Sequence, residues 1–528
     1  MIRVYQVKCA TDEKAVIEAH LLKKLHISKK DLLAWAIHRK SVDARHQKVL
    51  FSFTIDCKVR NEKKLLKKKD VHPTPDERYK AVQPGNHPLK DRPVVVGFGP
   101  AGMFASLILA QAGYAPIILE RGSTVYQRKE VVDYFWETGQ LNEECNVQFG
   151  QGGAGAFSDG KLTTRSKDSR CRKVLEELVR FGAKEEILID QHPHIGTDAF
   201  LGIVDECRKV VEDLGGTFYF DTKLEDIEVE NQQIQKICFN GQWQPCQALI
   251  LACGHSAKDT VLMMHKQGME MINKRFAVGV RIEHLQSYIN EAMLKEACHD
   301  KRLIPARYQV THRASNQKGV YSFCMCPGGY VIPSSSEKGR TVINGMSYAA
   351  RSGKNANSAL LVQVDETDYG QELFSGLTYQ EKLEEKAYSM ANGYKACVQL
   401  AQDYLDGKVS NAFNEVKPTY ALGYEFVDLN SLFSEEVNLA LHEALEAFER
   451  KVPGFVSSGA ILSAVESRSS SSIRMNRDGN CMSSIQGVFP SGEGSGYAGG
   501  IMTSAIDGIR CAEKLIEYFS VPKYNKSE

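Results

Sequence analysis

Fourteen cysteines are spread through the 528 residues, yet no two stand as C-x-x-C and none gathers with histidine at zinc-ligand spacing. That excludes a zinc ribbon or a thioredoxin-like motif and fits reduced thiols in a cytoplasmic chain. An apolar signal-peptide core is missing too: Met1-Ile2-Arg3-Val4-Tyr5-Gln6-Val7-Lys8 alternates like a strand, so export is not expected. Repeats are absent, and the serine run Ser469–Ser472 is the sole low-complexity tract, which excludes solenoids. Charge is missing from one long stretch, between Arg92 and Glu120, but Pro93, Pro100, Pro116 and four glycines would break the helix of about 20 residues that a membrane span needs. Net charge is almost nil at +1, and unevenly so: residues 1–92 hold 22 Lys and Arg against 11 Asp and Glu, the remainder 44 against 54. Hydrophobic (43%) and charged (25%) contents are those of a globular chain, and the length suggests about three domains.

What is present is concentrated in that uncharged stretch. Val94-Val95-Val96-Gly97-Phe98-Gly99-Pro100-Ala101-Gly102 is a short buried-type strand running into a glycine turn. Met103–Ala112 has helix-forming apolar spacing, and Ala115–Leu119 is a second strand tipped by Glu120. This β-α-β order is a dinucleotide cradle. Gly97 permits the tight turn, Gly99 the approach of a pyrophosphate, and Gly102 the packing of helix on sheet. The pyrophosphate would rest on the helix N-terminus. Glu120 comes at about the 20-residue spacing of a ribose-binding acid. Arg121 and Arg128-Lys129 would border the adenosine end, or are surface charges.

Residues 1–69 are expected to form a small basic α+β domain, with strands at Ile2–Val7 and Val49–Val59 and helices at Asp12–Leu25 and Ser28–Arg39, the second started by a Ser28/Asp31 capping box. The lysine-rich run Arg60–Lys69 is a nucleic-acid or anionic-surface contact, or a solvated helix end; no aromatic ladder interleaves it. Residues 70–92, with four prolines, are read as a linker. A second formal G-x-G-x-x-G at Gly150, Gly152 and Gly155 lacks the apolar helix and acid-tipped strand of a Rossmann site; its Gly152-Gly153 suits close approach to a flat ring or phosphate, or is a structural turn. Further on come a helix at Thr197–Leu214 and strand-like Phe218–Phe220 and Leu224–Val229, with Leu224 placed on the cofactor side. A hairpin around Ile234–Phe239 is expected on the sheet edge, and after it the buried strand Ala248–His255. Periodicity changes over residues 273–451: a strand at Phe276–Ile282, a hairpin over Tyr321–Ile332 interrupted by Pro327-Gly328-Gly329, and amphipathic helices at Gln380–Leu405 and Ser434–Arg450. The last part, residues 452–528, contains the small-residue segment Gly487–Ile501 and a helix over Met502–Phe519.

Together these pieces resemble the two-dinucleotide-binding flavoproteins typified by glutathione reductase. The cradle resembles their FAD fingerprint, with Ala110, Gly113 and Glu120-Arg121 at matching places. Leu249–Gly254 resembles the second strand packed near the cofactor, with Cys253 where threonine is usual, before Gly254. Gly492-Glu493 resembles the Gly-Asp element that holds the ribityl chain, longer by one methylene. The strings GQGGAGAFSDGKL, PHIGTD, FCMCPGG, ESRSS and GEGSGYAGGI are similar, more narrowly, to bacterial FAD-dependent dehydrogenases of largely unassigned function. The resemblance implies an α/β fold: a Rossmann-like FAD-binding domain assembled from residues 93–272 and 452–528, an inserted α+β substrate domain at 273–451, and FAD as cofactor.

The flavin end would then face the helix start at Gly499-Gly500-Ile501, whose free N–H groups and dipole stabilise negative charge on a reduced ring, unless it is a glycine-rich start with no ring nearby. The C-x-x-x-x-C pair of the disulfide reductases is absent, so that route is not expected. Cys324-Met325-Cys326 is a residual redox candidate, or a plain buried pair. No second fingerprint for a nicotinamide exists, so NAD(P)H visits a shallow surface or the substrate is itself the reductant. Arg281, Glu283 and His284 would aim at the ring or form a structural ion pair. His194 is a proton donor or a loop anchor, and Glu466 and Arg468 pair within the fold or bind a ligand. The expected function is an FAD-dependent oxidoreductase acting on a small or medium organic substrate. The alternatives are a flavoprotein acting on nucleic acid through the basic first domain and a non-catalytic FAD-binding protein.

Overall fold

A computed structural model describes residues 1–43, 49–164 and 166–523. It is a mixed α/β structure with parallel and mixed sheets. The uncharged stretch forms the middle of a five-stranded parallel sheet in the order Val488–Pro490, Leu249–Leu251, Val94–Val96, Ile117–Leu119, Thr217–Tyr219. These strands are three residues long, and their alternation sends side chains into two separate cores. Val95, Ile118, Ile250 and Phe489 join the layer containing the helices Pro100–Gln111, Thr197–Asp213 and Ile501–Tyr518. Val94, Val96, Leu119, Leu249 and Leu251 face the other way, onto a three-stranded antiparallel sheet of Asp226–Glu230, Gln233–Phe239 and Gln242–Pro245. The Ile234–Phe239 hairpin is therefore a covering layer rather than an edge of the parallel sheet. Leu224 is buried in this second core, so it is a packing residue and not one on the cofactor side. The first and last helices of the unit cross closely, because a Cβ at Gly508 would lie 2.0 Å from the carbonyl oxygen of Ala101.

A second unit is built on a seven-stranded sheet centred on Phe276–Leu285. That strand pairs along its whole length with Asn355–Val364 on one side and with Ile461–Glu466 on the other. The expected boundary at residue 451 thus falls short, since a central strand of this sheet comes from the segment assigned to the final part of the chain. Two further expectations change here. Gly319–Cys326 pairs with Asn355–Val364, while Tyr330–Pro333 pairs with Ile343–Met346 in a separate ribbon, so 321–332 is not a hairpin. The helix begun at Ser375 ends at Met390; Asn392 and Gly393 take positive φ, and the buried Ala396–Leu400 continues as a strand before a short helix, Ala401–Asp406. Burial between strands overrides an amphipathic period. The helix Glu435–Lys451 starts where expected: the Ser434 side chain accepts the Val437 N–H, two acids lie in its first turn and two bases in its last.

The basic N-terminal unit is a four-stranded sheet, ordered 32–43, 50–59, 2–9, 71–73, backed by the helix Lys14–Leu25. Ser28 and Asp31 do meet, Oγ donating to Oδ2 at 2.7 Å, but they start only the single turn Lys29–Asp31. Leu32–Asp43 is then a strand, because Trp35, Ile37 and Val42 extend alongside the 50–59 strand and the hairpin outweighs the local cap. Val71–Pro73, from the expected linker, is its fourth strand. The outer edge of 32–43 docks on the cradle unit, with Lys40 N–H on Ile189 O at 2.6 Å and Gln191 N–H on Lys40 O at 3.0 Å.

Candidate cofactor and thiol site

The cradle closes tightly on itself. Gly97 has φ +91°, and a Cβ at Gly102 would stand 1.8 Å from the Gly97 carbonyl oxygen, so helix and turn touch as a phosphate-binding start requires. Glu120 is buried and accepts three backbone N–H groups, from Phe98 (2.8 Å), Gly122 (3.1 Å) and Gly150 (3.0 Å). It thereby ties the cradle to the second glycine segment. Gly152 N–H reaches Phe98 O at 2.8 Å, and a Cβ on Gly153 would lie 2.8 Å from Gly99 Cα. The second segment is therefore a wall of the same site.

That wall is held from inside by Arg128. Its guanidinium has no exposed surface and donates to the carbonyls of Asn146, Val147, Gly150, Gln151 and Gly153 at 2.9–3.1 Å, above the Phe157 ring. Burial lowers its pKa to about 10, while the nearby Glu120 carboxylate opposes the loss of charge. Arg128 is thus neither a border of the adenosine end nor a surface charge. Lys129 pairs with Asp133 on the surface. Arg121 sits 4.2 Å over the Phe149 ring, with its charge matched by Asp259 and Glu144. The basic run of the N-terminal unit is partly structural as well: Lys68 Nζ donates to Leu25 O at 2.9 Å and to Lys24 O at 3.1 Å, at the end of its helix.

The C-terminal segments meet the cradle, where the resemblance puts them. Gly492 packs on Ala101, and its N–H reaches Asp507 at 2.8 Å. Gly155 brings three pieces together, because a Cβ there would contact Ile501 Cγ1 at 3.2 Å and Pro100 Cγ at 3.4 Å. The two helix starts, at Pro100 and Ile501, thus flank one glycine loop. Gly499 and Gly500 are exposed and have no neighbouring atoms where a side chain would be. Glu493 stands behind them, and burial raises its carboxyl to about pH 7 against the pull of Lys274. His255 Nδ1 lies 3.5 Å from Glu493 Oε1; burial, with help from Arg468 and Lys274, lowers the imidazole to about 4. The ring is then neutral above that pH, so the contact is not an ion pair. His255 Nε2 is buried without a partner. Cys253, one strand-end away, is a buried thiol raised to about 12.

The sequence candidates beyond this divide sharply. Arg281 and His284 leave opposite faces of their strand and do not converge on one point. Arg281 is enclosed by Glu466 (2.6 and 3.0 Å), Asn357 (2.6 Å) and Asn344 (3.2 Å). Glu283 accepts from Asn355 and Thr419. His284 is a core residue bonded to Phe455 O at 2.7 Å, lowered by burial to about 4. Arg468 pairs with Glu384 and Glu337. His194 forms a bridge with Lys161 and reaches Ala349 O at 3.3 Å, so it anchors a loop; burial and Arg351 hold it below the usual imidazole range.

Residues overlooked in the sequence lie at the junction of the two larger units. Asp159, fully buried, binds Arg351 at 2.7 Å and Ser347, and the Lys161 ammonium donates to Met325 O. Arg351 Nη1 is buried without a partner. Lys161 and Arg281 flank the Cys324-Met325-Cys326 turn, Arg281 Nη1 lying 3.4 Å from Cys324 O. The strand bulges between Phe323 and Cys326, and Cys324 takes φ +45°. The Cys326 thiol donates to Cys324 O at 3.1 Å. The neighbouring Cys326 thiol, then Lys161 and Arg281, hold Cys324 below the usual thiol range against burial; Cys326 is raised in turn. Among the described residues no cluster of ligands for a metal occurs, and no helix is long and apolar enough to cross a membrane.

An uncharacterized protein of Clostridium beijerinckii is 44% identical over 533 residues, which cover 99% of this chain and all of that one. The chain belongs to its family. Residues 275–469 match a family described as FAD-dependent protein, C-terminal domain-like, and residues 1–58 a domain of unknown function. The cofactor is FAD. The matched 275–469 segment runs through Ile461–Glu466, in line with the extended seven-stranded unit. Solved structures similar to this chain at a low level include CtdE in complex with FAD (12% identity, 80% of this chain and 82% of that one, TM-score 0.29). L-proline dehydrogenase from P. horikoshii (11%, 81% and 93%, 0.33) and L-amino acid deaminase from Proteus vulgaris (10%, 84% and 98%, 0.32) are at a similar level. Scores of that size carry no weight for substrate or reaction.

Proposed function

We propose that the protein is an FAD-dependent oxidoreductase of glutathione-reductase-like architecture, acting on a small or medium organic substrate between its cradle unit and its seven-stranded unit. One observation carries this reading: two helix N-termini, at Pro100 and Ile501, flank a glycine loop whose backbone lies against the cradle. Bound FAD supplies two-electron, hydride-accepting chemistry. The residues fit it. The free N–H groups at the start of the Pro100 helix, beside the closely packed Gly99 and Gly153, would receive a pyrophosphate. Glu120 keeps the two glycine segments in register and offers remaining lone pairs to a ribose.

The open Gly499-Gly500 start would leave room for the flavin end, and the 18-residue helix behind it would favour negative charge there. Glu493, poised near pH 7 behind that start, holds or releases a proton at its carboxyl, and His255 Nε2 offers an unfilled hydrogen-bonding position. In this reading the FAD-binding unit is assembled from discontinuous segments before residue 273 and after about residue 470, with the substrate unit between. Electrons arrive from NAD(P)H docking at the surface or from the substrate itself. The test is purification with bound flavin, then anaerobic mixing with NADH, NADPH and a metabolite panel. Bleaching of the flavin band by at least one reductant is expected, whereas a chain that neither retains nor takes up FAD would overturn the reading.

A further inference from the structure

Among the described residues Cys324 and Cys326 stand two positions apart on one bulged strand, and of the two Cys324 is the partly exposed one. Cys481 and Cys511 are both buried, Cys511 accepting from Arg477 at 3.3 Å. Cys326, unlike Cys324, is fully buried. Their backbone is also shaped for bridging. Residues i and i+2 of a regular strand are about 6.6 Å apart, at the far end of the roughly 4.4–6.8 Å span that a disulfide accepts. A bulge with Cys324 at φ +45° breaks that extension, and the Cys326 thiol already points back to the Cys324 carbonyl at 3.1 Å. The turn is pinned from both sides, by Lys161 on Met325 O and by Arg281 on Cys324 O. Both pins are cations, the surroundings in which a thiolate is nucleophilic.

We propose that Cys324 and Cys326 form a dithiol–disulfide exchange site whose substrate is a disulfide. The Cys324 thiolate attacks one sulfur of R–S–S–R′; the S–S bond breaks and R′–S⁻ leaves, taking a proton from water. Cys326 then loses its proton to solvent and attacks Cys324 Sγ of the mixed disulfide, releasing R–S⁻. One disulfide has become two thiols, and the protein holds a Cys324–Cys326 bridge. Two electrons and two protons reset the pair. Under the proposed oxidoreductase function their source is reduced FAD, and on that clause alone the inference rests on the earlier reading.

The experiment uses the FAD-containing protein and glutathione disulfide as probe, with peptide mass mapping as readout. A Cys324–Cys326 peptide two hydrogens lighter than the dithiol is expected, together with release of two equivalents of glutathione thiol. In Cys326→Ser the glutathione adduct should stay on Cys324, and in Cys324→Ser no adduct should form at either position. Iodoacetamide labelling of Cys324 in the wild type should be half-maximal well below the usual value of about 8.5. Absence of the bridged peptide, or labelling of Cys324 with the ordinary pH dependence, overturns the proposal. Because exchange needs no flavin reduction, its failure in a protein with intact flavin absorbance sinks this inference alone. Exchange in a protein whose flavin no reductant bleaches sinks the proposed function alone.

Discussion

The segments around Gly97–Gly102 and Gly150–Gly155 satisfy the same formula, yet one is a helix-opening cradle and the other a loop wrapped round a buried guanidinium. The difference lies in the residues C-terminal to the glycines. After Gly102 an uninterrupted apolar helix turns its N–H groups toward the turn; after Gly155 the chain has one short turn and then Ser158-Asp159-Gly160-Lys161, which docks onto the other unit. The first segment binds with its own backbone. The second cannot satisfy its carbonyls alone and takes five hydrogen bonds from Arg128.

The largest effect is therefore expected at Arg128. Arg128→Met leaves several buried carbonyls without donors and should cost at least about 3 kcal/mol, read as a fall in urea midpoint together with lost flavin; an unchanged midpoint would show that the loop needs no such anchor. Next comes a paired substitution. Gly102→Ala collides with the Gly97 carbonyl and should abolish FAD retention at a cost of about 1–3 kcal/mol. Gly155→Ala meets only side-chain atoms at 3.2–3.5 Å and should keep most of its flavin. Equal flavin content in the two variants would erase the contrast between the segments.

A smaller, pH-dependent effect is expected at Glu493. Its folded pKa lies above the unfolded value, so its contribution to stability is full below about pH 4.5 and is lost as pH rises through about 7. Glu493→Gln should thus gain on the wild type between pH 5 and pH 8, on the order of 1–2 kcal/mol after allowing for partial exposure. Parallel stability curves would contradict this. The smallest change is expected at the rim, where Asp259→Asn removes one half-exposed partner of Arg121 and should cost about 0.5 kcal/mol, seen as a shift of a degree or two in Tm.

The cradle's β-α-β order and the last helix were legible because each is written in local spacing, whereas Gly492-Glu493 was reached through the family resemblance. Arg128 was not, since a buried arginine facing carbonyls leaves no pattern in side-chain types. The same holds for Asp159 and Arg351, which meet across 192 positions, and for Ile461–Glu466, whose place is decided by the strand it joins. At Ser28 a correct local signal was present and was outweighed by a hairpin. Arg281 and His284 were chosen for their chemistry, but strand alternation sent them to opposite faces.

Gly85, in the segment leading to the cradle strand, is bonded to Ile516 and Phe519 in the last turns of the chain, with its backbone too close to Glu517 and Tyr518 for any side chain. On the ribosome this makes the cradle a late event. The N-terminal sheet has its strands in hand early, but the Val94–Val96 strand must wait for Val488–Pro490 to complete its sheet and for Ile501–Tyr518 to cover it. Until residues 488–518 emerge the nascent chain carries an uncapped apolar sheet, and a product that stops before them would lack one wall of the cofactor site.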